Sequence, residues 1–263
     1  MRGADPKSDR LFAPFRPNGF GLGEAIGGFA VGIILATIAV TIFGVASGHP
    51  RHPSNYGSDV VDLLGLWTGL AGCAIVASSR ARAGEPAAER VGLGRRLAED
   101  YGFSLRPWPD IPLGIAVGLF SQYVLVFVFE LPLLPFVPHL YSRLSQPAVS
   151  LTGDATGVGV VALGVLVCLG SPVVEELFFR GVLFRSVTGR LARLGPRLGP
   201  VLSALIVGLA FGLAHFEPLE LIALAGFGAV LCALAWWTGR LGAGIVAHVS
   251  FNVVAFISVV RSH

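Results

Sequence analysis

A chain of 263 residues with 54% hydrophobic and only 13% charged residues is far from a soluble domain, in which roughly a quarter of residues are charged. Its mean hydropathy is +0.74, and its charges leave stretches of about twenty residues bare, the length that crosses a ~30 Å hydrocarbon core. The net charge of +3 does not point to nucleic acid, because the basic residues sit in short loops and not on one soluble face; the expected partner is the lipid bilayer.

In chain order, residues 1–22 are polar and basic and read as a cytoplasmic tail, and the first apolar stretch is too long for the core of a cleavable signal. Seven spanning segments follow, at about 24–46, 58–79, 111–137, 157–184, 200–215, 219–238 and 241–260. Lipid offers no partner to backbone N–H and C=O groups, so each is expected to be helical and the fold an all-α bundle. The loop at 80–110 is basic, and within it 85–100 reads as a surface helix along the inner interface. The chain divides into the tail, N-terminal transmembrane helices over 23–156, and a C-terminal helical core over 157–263.

Arg2, Lys7, Arg10 and Arg16 in the tail, Arg80, Arg82, Arg90, Arg95, Arg96 and Arg106, then Arg185, Arg190, Arg193 and Arg197, and finally Arg240 all belong to one set of loops. The opposite set holds only Arg51, Arg143 and Arg261. Fifteen basic residues against three place the N-terminus inside and the C-terminus outside, in a multi-pass protein of the cell membrane. Cys73, Cys168 and Cys232 lie in apolar stretches without CxxC spacing and read as small core residues. The pairs Gly28/Gly32, Gly114/Gly118 and Gly208/Gly212 allow helices to approach closely, and packing is their expected role.

Polar side chains deep in spanning helices are costly and point to function. Glu176 and Arg180 are four apart and can pair along one helix face, which leaves Glu175, about 100° away, free to meet a different environment and to activate water. A purely structural ion pair would need one carboxylate, so the second is the surplus to explain. His215, beside a Phe-Glu-Pro break, taken alone suits a helix-end cap. His248 and Asn252 lie one turn apart on one face and offer two donors to one point, as a developing oxyanion requires; the alternative is an interhelical polar clamp. At ~1.5 Å per residue, Glu175 lies ~15 Å from Arg185 and His248 ~12 Å from Arg240, whereas His215 lies ~25 Å from Pro200. Glu175 and His248 are thus nearer the basic side, the expected cavity opens to the cytoplasm, and His215 fits it least well.

The ordered set Glu175-Glu176-Leu-Phe-Phe-Arg180, Phe211-Gly-Leu-Ala-His215 and His248-Val-Ser-Phe-Asn252 resembles the CAAX protease and bacteriocin-processing family (CPBP, also called Abi) of intramembrane endopeptidases, over about 157–256. The resemblance implies that Glu175, assisted by His215, activates the attacking water. It implies that His248 and Asn252 stabilise the oxyanion, and that Glu176 and Arg180 hold the fourth helix in register. Members have been described as metalloproteases. Glu175, His215 and His248 offer N and O ligands that could hold Zn²⁺, or act without metal, and the absence of an HExxH helix does not favour zinc. The implied substrate is a membrane protein or peptide, prenylated ones included. Two other readings are a catalytically silent scaffold or self-immunity protein and, ranked third, a proton-coupled transporter. The last would show polar residues in both halves, which Glu130 alone does not supply.

Overall fold

The computed structural model describes residues 21–48, 56–84, 91–152 and 157–262. The expected tail at 1–22, apart from its last two residues, and the 85–90 part of the expected surface helix lie outside the described residues.

All regular structure among the described residues is helical. The helices are α1 (Leu22–Ala46), α2 (Tyr56–Ala81), α3 (Leu93–Tyr101), α4 (Pro107–Leu133), α5 (Leu140–Thr152), α6 (Val158–Arg190), α7 (Leu198–Ala214), α8 (Leu221–Thr238) and α9 (Gly242–Ser262). Six of them, α1, α2, α4, α6, α8 and α9, are long and apolar enough to cross a bilayer, and α7 is a shorter apolar helix. The chain is a multi-pass, all-helical membrane protein.

Three boundaries differ from the sequence reading. α4 ends at Leu133, where Pro132, Pro135 and Pro138 remove backbone donors and stop the helix. α5 was not expected, because a segment containing Pro147 and three serines reads as a loop. α6 continues past the expected end at 184 to Arg190, so Arg185 stands inside a helix and not in the loop after it.

The reason lies at the basic end of the bundle. Arg185 is 2% exposed, and its Nη2 donates to the carbonyls of Tyr101 (2.9 Å) and Gly239 (3.1 Å), the last residue of α3 and the residue after α8. A helix C-terminus leaves carbonyls without partners, and one guanidinium serves two such ends here. Gly102, which follows Tyr101 with φ 68°, accepts from the Leu241 N–H at 2.8 Å. A Cβ at this position would lie 2.5 Å from the Gly239 oxygen, so only glycine fits. Arg240, also treated as a loop marker, is 2% exposed and pairs bidentately with the buried Asp110, at 3.0 and 2.7 Å. α3 is fastened to α2 by Tyr101 Oη donating to Ala74 O (2.8 Å) and by Asp100 accepting from Ser78 and Arg82.

The helices pair through small residues. A Cβ on Gly32 would approach Leu66 O to 2.9 Å, on Gly114 Ala243 O to 2.7 Å, and on Gly212 Leu221 O to 2.7 Å. Each glycine pair picked out in the sequence therefore joins two helices, α1 to α2, α4 to α9 and α7 to α8. In α6 nearly every residue from Leu177 to Thr188 is buried. Phe178, Phe179, Arg180, Phe184 and the ring of Tyr101 fill the basic half of the bundle.

Candidate active site

α6 carries two π-helical stretches, Leu166–Gly170 and Leu177–Leu183, with Glu175 and Glu176 in the α-helical segment between them. Such bulges rotate the following residues about the helix axis and concentrate at functional sites. Within the α-helical segment between them the two neighbouring carboxylates point about 100° apart. Glu176 is 0% exposed and accepts from Arg180 Nη1 at 2.8 Å, the pairing that the four-residue spacing suggests. Glu175 instead lines a cavity of about 440 Å³, together with His215, His248 and Asn252. Its Oε2 atom is buried without a hydrogen-bond partner.

Arg180 has more to do than pair with Glu176. Nη2 donates to Gly228 O of α8 at 3.0 Å, and the guanidinium lies 4.5 Å from the centre of the Phe211 ring. Phe211 is fully buried and touches both imidazoles, His215 at 4.6 Å and His248 at 5.6 Å between ring centres. The phenylalanine of the FxxxH pattern is thus the wall on which the two histidines rest.

His215 follows the last residue of α7. Its own N–H turns back to Gly212 O, so the Phe211 carbonyl receives no backbone donor from it. The imidazole Nδ1 takes that place at 2.8 Å. A carbonyl only accepts, so Nδ1 carries the hydrogen, and Nε2 of the neutral ring keeps its lone pair. His248 is 3% exposed; Nδ1 faces Glu176 Oε1 at 3.2 Å and Nε2 faces Glu175 Oε2 at 3.8 Å. Arg180, Glu176, His248 and Glu175 therefore form one chain of contacts across α6 and α9.

Asn252 Nδ2 donates to Val167 O at 2.9 Å, within the first π-helical stretch, where the i→i+4 ladder is interrupted. His248 and Asn252 do not present two free groups, as their alignment suggested, because each already commits one N–H to α6. One donor position remains on each, Nε2 of His248 and the second amide hydrogen of Asn252.

The depth mismatch for His215 came from the wrong reference. α6 descends to Arg190, about 7 Å below Arg185, and α7 starts beside Leu191, whose carbonyl oxygen would lie 2.7 Å from a Cβ on Gly199. Subtracting that drop puts His215 ~18 Å above the Arg185 level, close to the ~15 Å of Glu175. A second correction concerns the opening. The cavity is lined by Val167, Ser171, Glu217, Glu220, Phe256 and Val259, all towards the end opposite the arginine-bearing loops, while the basic half is filled by the buried α6 side chains. The cavity thus opens away from the basic end.

Sequence reasoning did not single out Ser171, Glu217, Glu220 or Phe227. Ser171 is one turn before Glu175 on the same face and 5% exposed, a spacing that was readable. Phe227 stacks on Phe251 at 4.0 Å and meets His248 edge-on at 5.5 Å, and nothing in the sequence marks it among the phenylalanines.

Among the described residues no three His, Cys, Asp or Glu side chains are placed to share a metal ion. Nε2 is the ring nitrogen left open on both histidines, and Glu175 approaches only that of His248 closely enough to pair with it. The donor set does not fit Zn²⁺ in this arrangement.

Residues 157–254, which hold all three motifs, match the family model described as type II CAAX prenyl endopeptidase Rce1-like. This segment is an Rce1-like domain. The match agrees with the family resemblance read from the motifs and makes a membrane-embedded peptidase the activity that the family suggests. The Rce1-like domain begins at the start of α6 and ends within α9, so α1–α5 lie outside it. Comparison with curated proteins and with solved structures gave no match.

Proposed function

We propose that the protein is an intramembrane endopeptidase that hydrolyses a peptide bond of a membrane-associated protein or peptide without a metal ion. The observation that carries this reading is the convergence of Glu175, His215, His248 and Asn252, from α6, α7 and α9, on one cavity above a packed floor. A water between Glu175 and His215 gives a proton to the Glu175 carboxylate and a hydrogen bond to His215 Nε2, and its oxygen attacks the scissile carbonyl. The oxyanion receives hydrogen bonds from His248 Nε2 and the free amide hydrogen of Asn252. Donation from both ring nitrogens uses the doubly protonated form of His248, whose Nδ1 and Nε2 face the carboxylates of Glu176 and Glu175. Glu175 then returns its proton to the leaving nitrogen, the C–N bond breaks, and a carboxylic acid and an amine result.

Glu176 and Arg180 hold α6 and, through His248, α9. The remaining loop arginines support an N-terminus inside, in a protein of the cell membrane, so the cavity would face the opposite side. Purified protein in liposomes should cleave a membrane-anchored reporter peptide. Glu175→Gln should lower the rate at least ~10³-fold while the protein still accumulates in the membrane. Full cleavage activity in Glu175→Gln would remove Glu175 as the base, and no cleavage by the wild-type protein would favour the silent scaffold. Activity lost to a chelator and restored by Zn²⁺ would end the metal-free mechanism.

A further inference from the structure

Five carboxylates among the described residues differ in one respect from those at the cavity mouth. Towards the basic end each has a cation: Glu24 meets Arg80, Glu99 meets Arg82 and Arg95, Asp100 meets Arg82, Asp110 meets Arg240 and Glu176 meets Arg180. At the cavity mouth, Glu217 and Glu220 line the opening, and their carboxylates have no ion pair or hydrogen bond among the described residues. Glu130, at the end of α4, is close enough to act on Glu220, and it is unpartnered too. Burial, reinforced by Glu217 and Glu130, pushes the Glu220 carboxyl up to about 7. Carboxylates that repel one another on a half-buried rim call for a cation from outside the chain.

A second observation lies deeper. The Ser171 hydroxyl lines the same cavity one turn from Glu175, is 5% exposed, and has no hydrogen-bond partner among the described residues. A ligand that supplies a backbone N–H or C=O there would give this hydroxyl a protein-like partner in the cavity. No arginine or lysine is among the described residues lining the cavity. A peptide that ended in a free carboxylate inside it would face Glu175, Glu217 and Glu220, with the imidazoles of His215 and His248 but no arginine or lysine beside it.

We propose that the cavity takes an internal, cationic peptide segment, with a lysine or arginine side chain against Glu217 and Glu220 and its backbone against Ser171, and not a free C-terminus. The proposal names the substrate class of the peptidase reading above and rests on it for the role of Glu175.

The test separates binding from turnover. Full-length Glu175→Gln protein in zwitterionic nanodiscs is titrated with a fluorescein-labelled peptide bearing two lysines and with its glutamine twin, each as free acid and as C-terminal amide. The lysine amide should bind roughly three- to tenfold tighter than its glutamine twin, and added salt should shrink the ratio. Amides should bind at least as tightly as acids. Adding Glu217→Gln and Glu220→Gln should bring the lysine-to-glutamine ratio below about twofold, and Ser171→Ala should weaken both twins alike. Equal binding of the twins, tighter binding of the free acids, or a ratio that survives the double substitution would overturn the proposal. If the double variant fails to fold, the acid-against-amide comparison on the unsubstituted rim decides alone. Preferential binding of the lysine peptide without cleavage by wild-type protein would instead sink the peptidase reading and leave this one standing.

Discussion

Removing Arg180 is the sharpest test of the ionic chain behind the site. Its guanidinium and the Glu176 carboxylate are both fully buried, 2.8 Å apart, and the guanidinium also holds Gly228 O at 3.0 Å and lies against Phe211. Arg180→Met keeps much of the volume but leaves the Glu176 charge with His248 as its remaining partner among the described residues. Breaking one side of a buried pair costs about 3–5 kcal/mol, whereas replacing both sides with apolar or neutral groups is often close to neutral. For a chain of this size each kcal/mol is worth roughly 2–4 °C, so Arg180→Met should lower the apparent Tm by roughly 6–20 °C. The double variant Arg180→Met/Glu176→Gln should recover more than half of the loss, a coupling of about 2 kcal/mol or more. The measurement is thermal unfolding of detergent-solubilised single and double variants at one scan rate, followed by exposure of the buried cysteines Cys73, Cys168 and Cys232 to a thiol dye. A loss under about 1 kcal/mol for Arg180→Met, or no recovery in the double variant, would refute the reasoning, because the pair would then not be a desolvated unit.

Three further outcomes follow from the geometry. Asn252→Ala removes both the α9–α6 hydrogen bond to Val167 and one oxyanion donor, so kcat should fall roughly 10²–10³-fold with little change in KM; an equal rise in KM would mean that it only shapes the pocket. Glu220, with a carboxyl raised to about 7 against 4.5 when unfolded, binds its proton more tightly in the folded state, so its contribution to stability is present at pH 5 and is lost as pH rises through 7. Glu220→Gln should therefore raise the apparent Tm at pH 8 and leave it nearly unchanged at pH 5; a Tm gain of equal size at both pH values would contradict that sign. In intact cells an impermeant maleimide should label Glu217→Cys from outside and Arg193→Cys only after permeabilisation, and the reverse pattern would invert the proposed orientation.

The spans were legible because hydrophobic length is a property of consecutive residues, and lipid leaves the backbone no alternative to a helix. The Glu176–Arg180 pair was legible for a similar reason, since four residues make one helical turn. What the sequence hid depends on neighbours far along the chain. Arg185 and Arg240 look like loop charges until the carbonyls of Tyr101 and Gly239 and the carboxylate of Asp110 come into view. Treating the two arginines as surface markers misplaced His215 and pointed the cavity at the wrong end. The engaged amide of Asn252 was equally hidden, because its partner is the carbonyl of Val167, 85 residues away, in a π-helical stretch that no local pattern announces.

The filled half of the bundle has a consequence for the membrane itself. A hydrolase inside a bilayer must admit water, and a hydrated shaft that crossed from face to face would short-circuit every ion gradient. Here Phe178, Phe179, Phe184 and Tyr101 close one half with side chains that are at most 3% exposed, so on the proposed reading the cavity is a blind well and not a conduit. Trimming that aromatic stopper should make vesicles permeable to protons before it touches the chemistry above it.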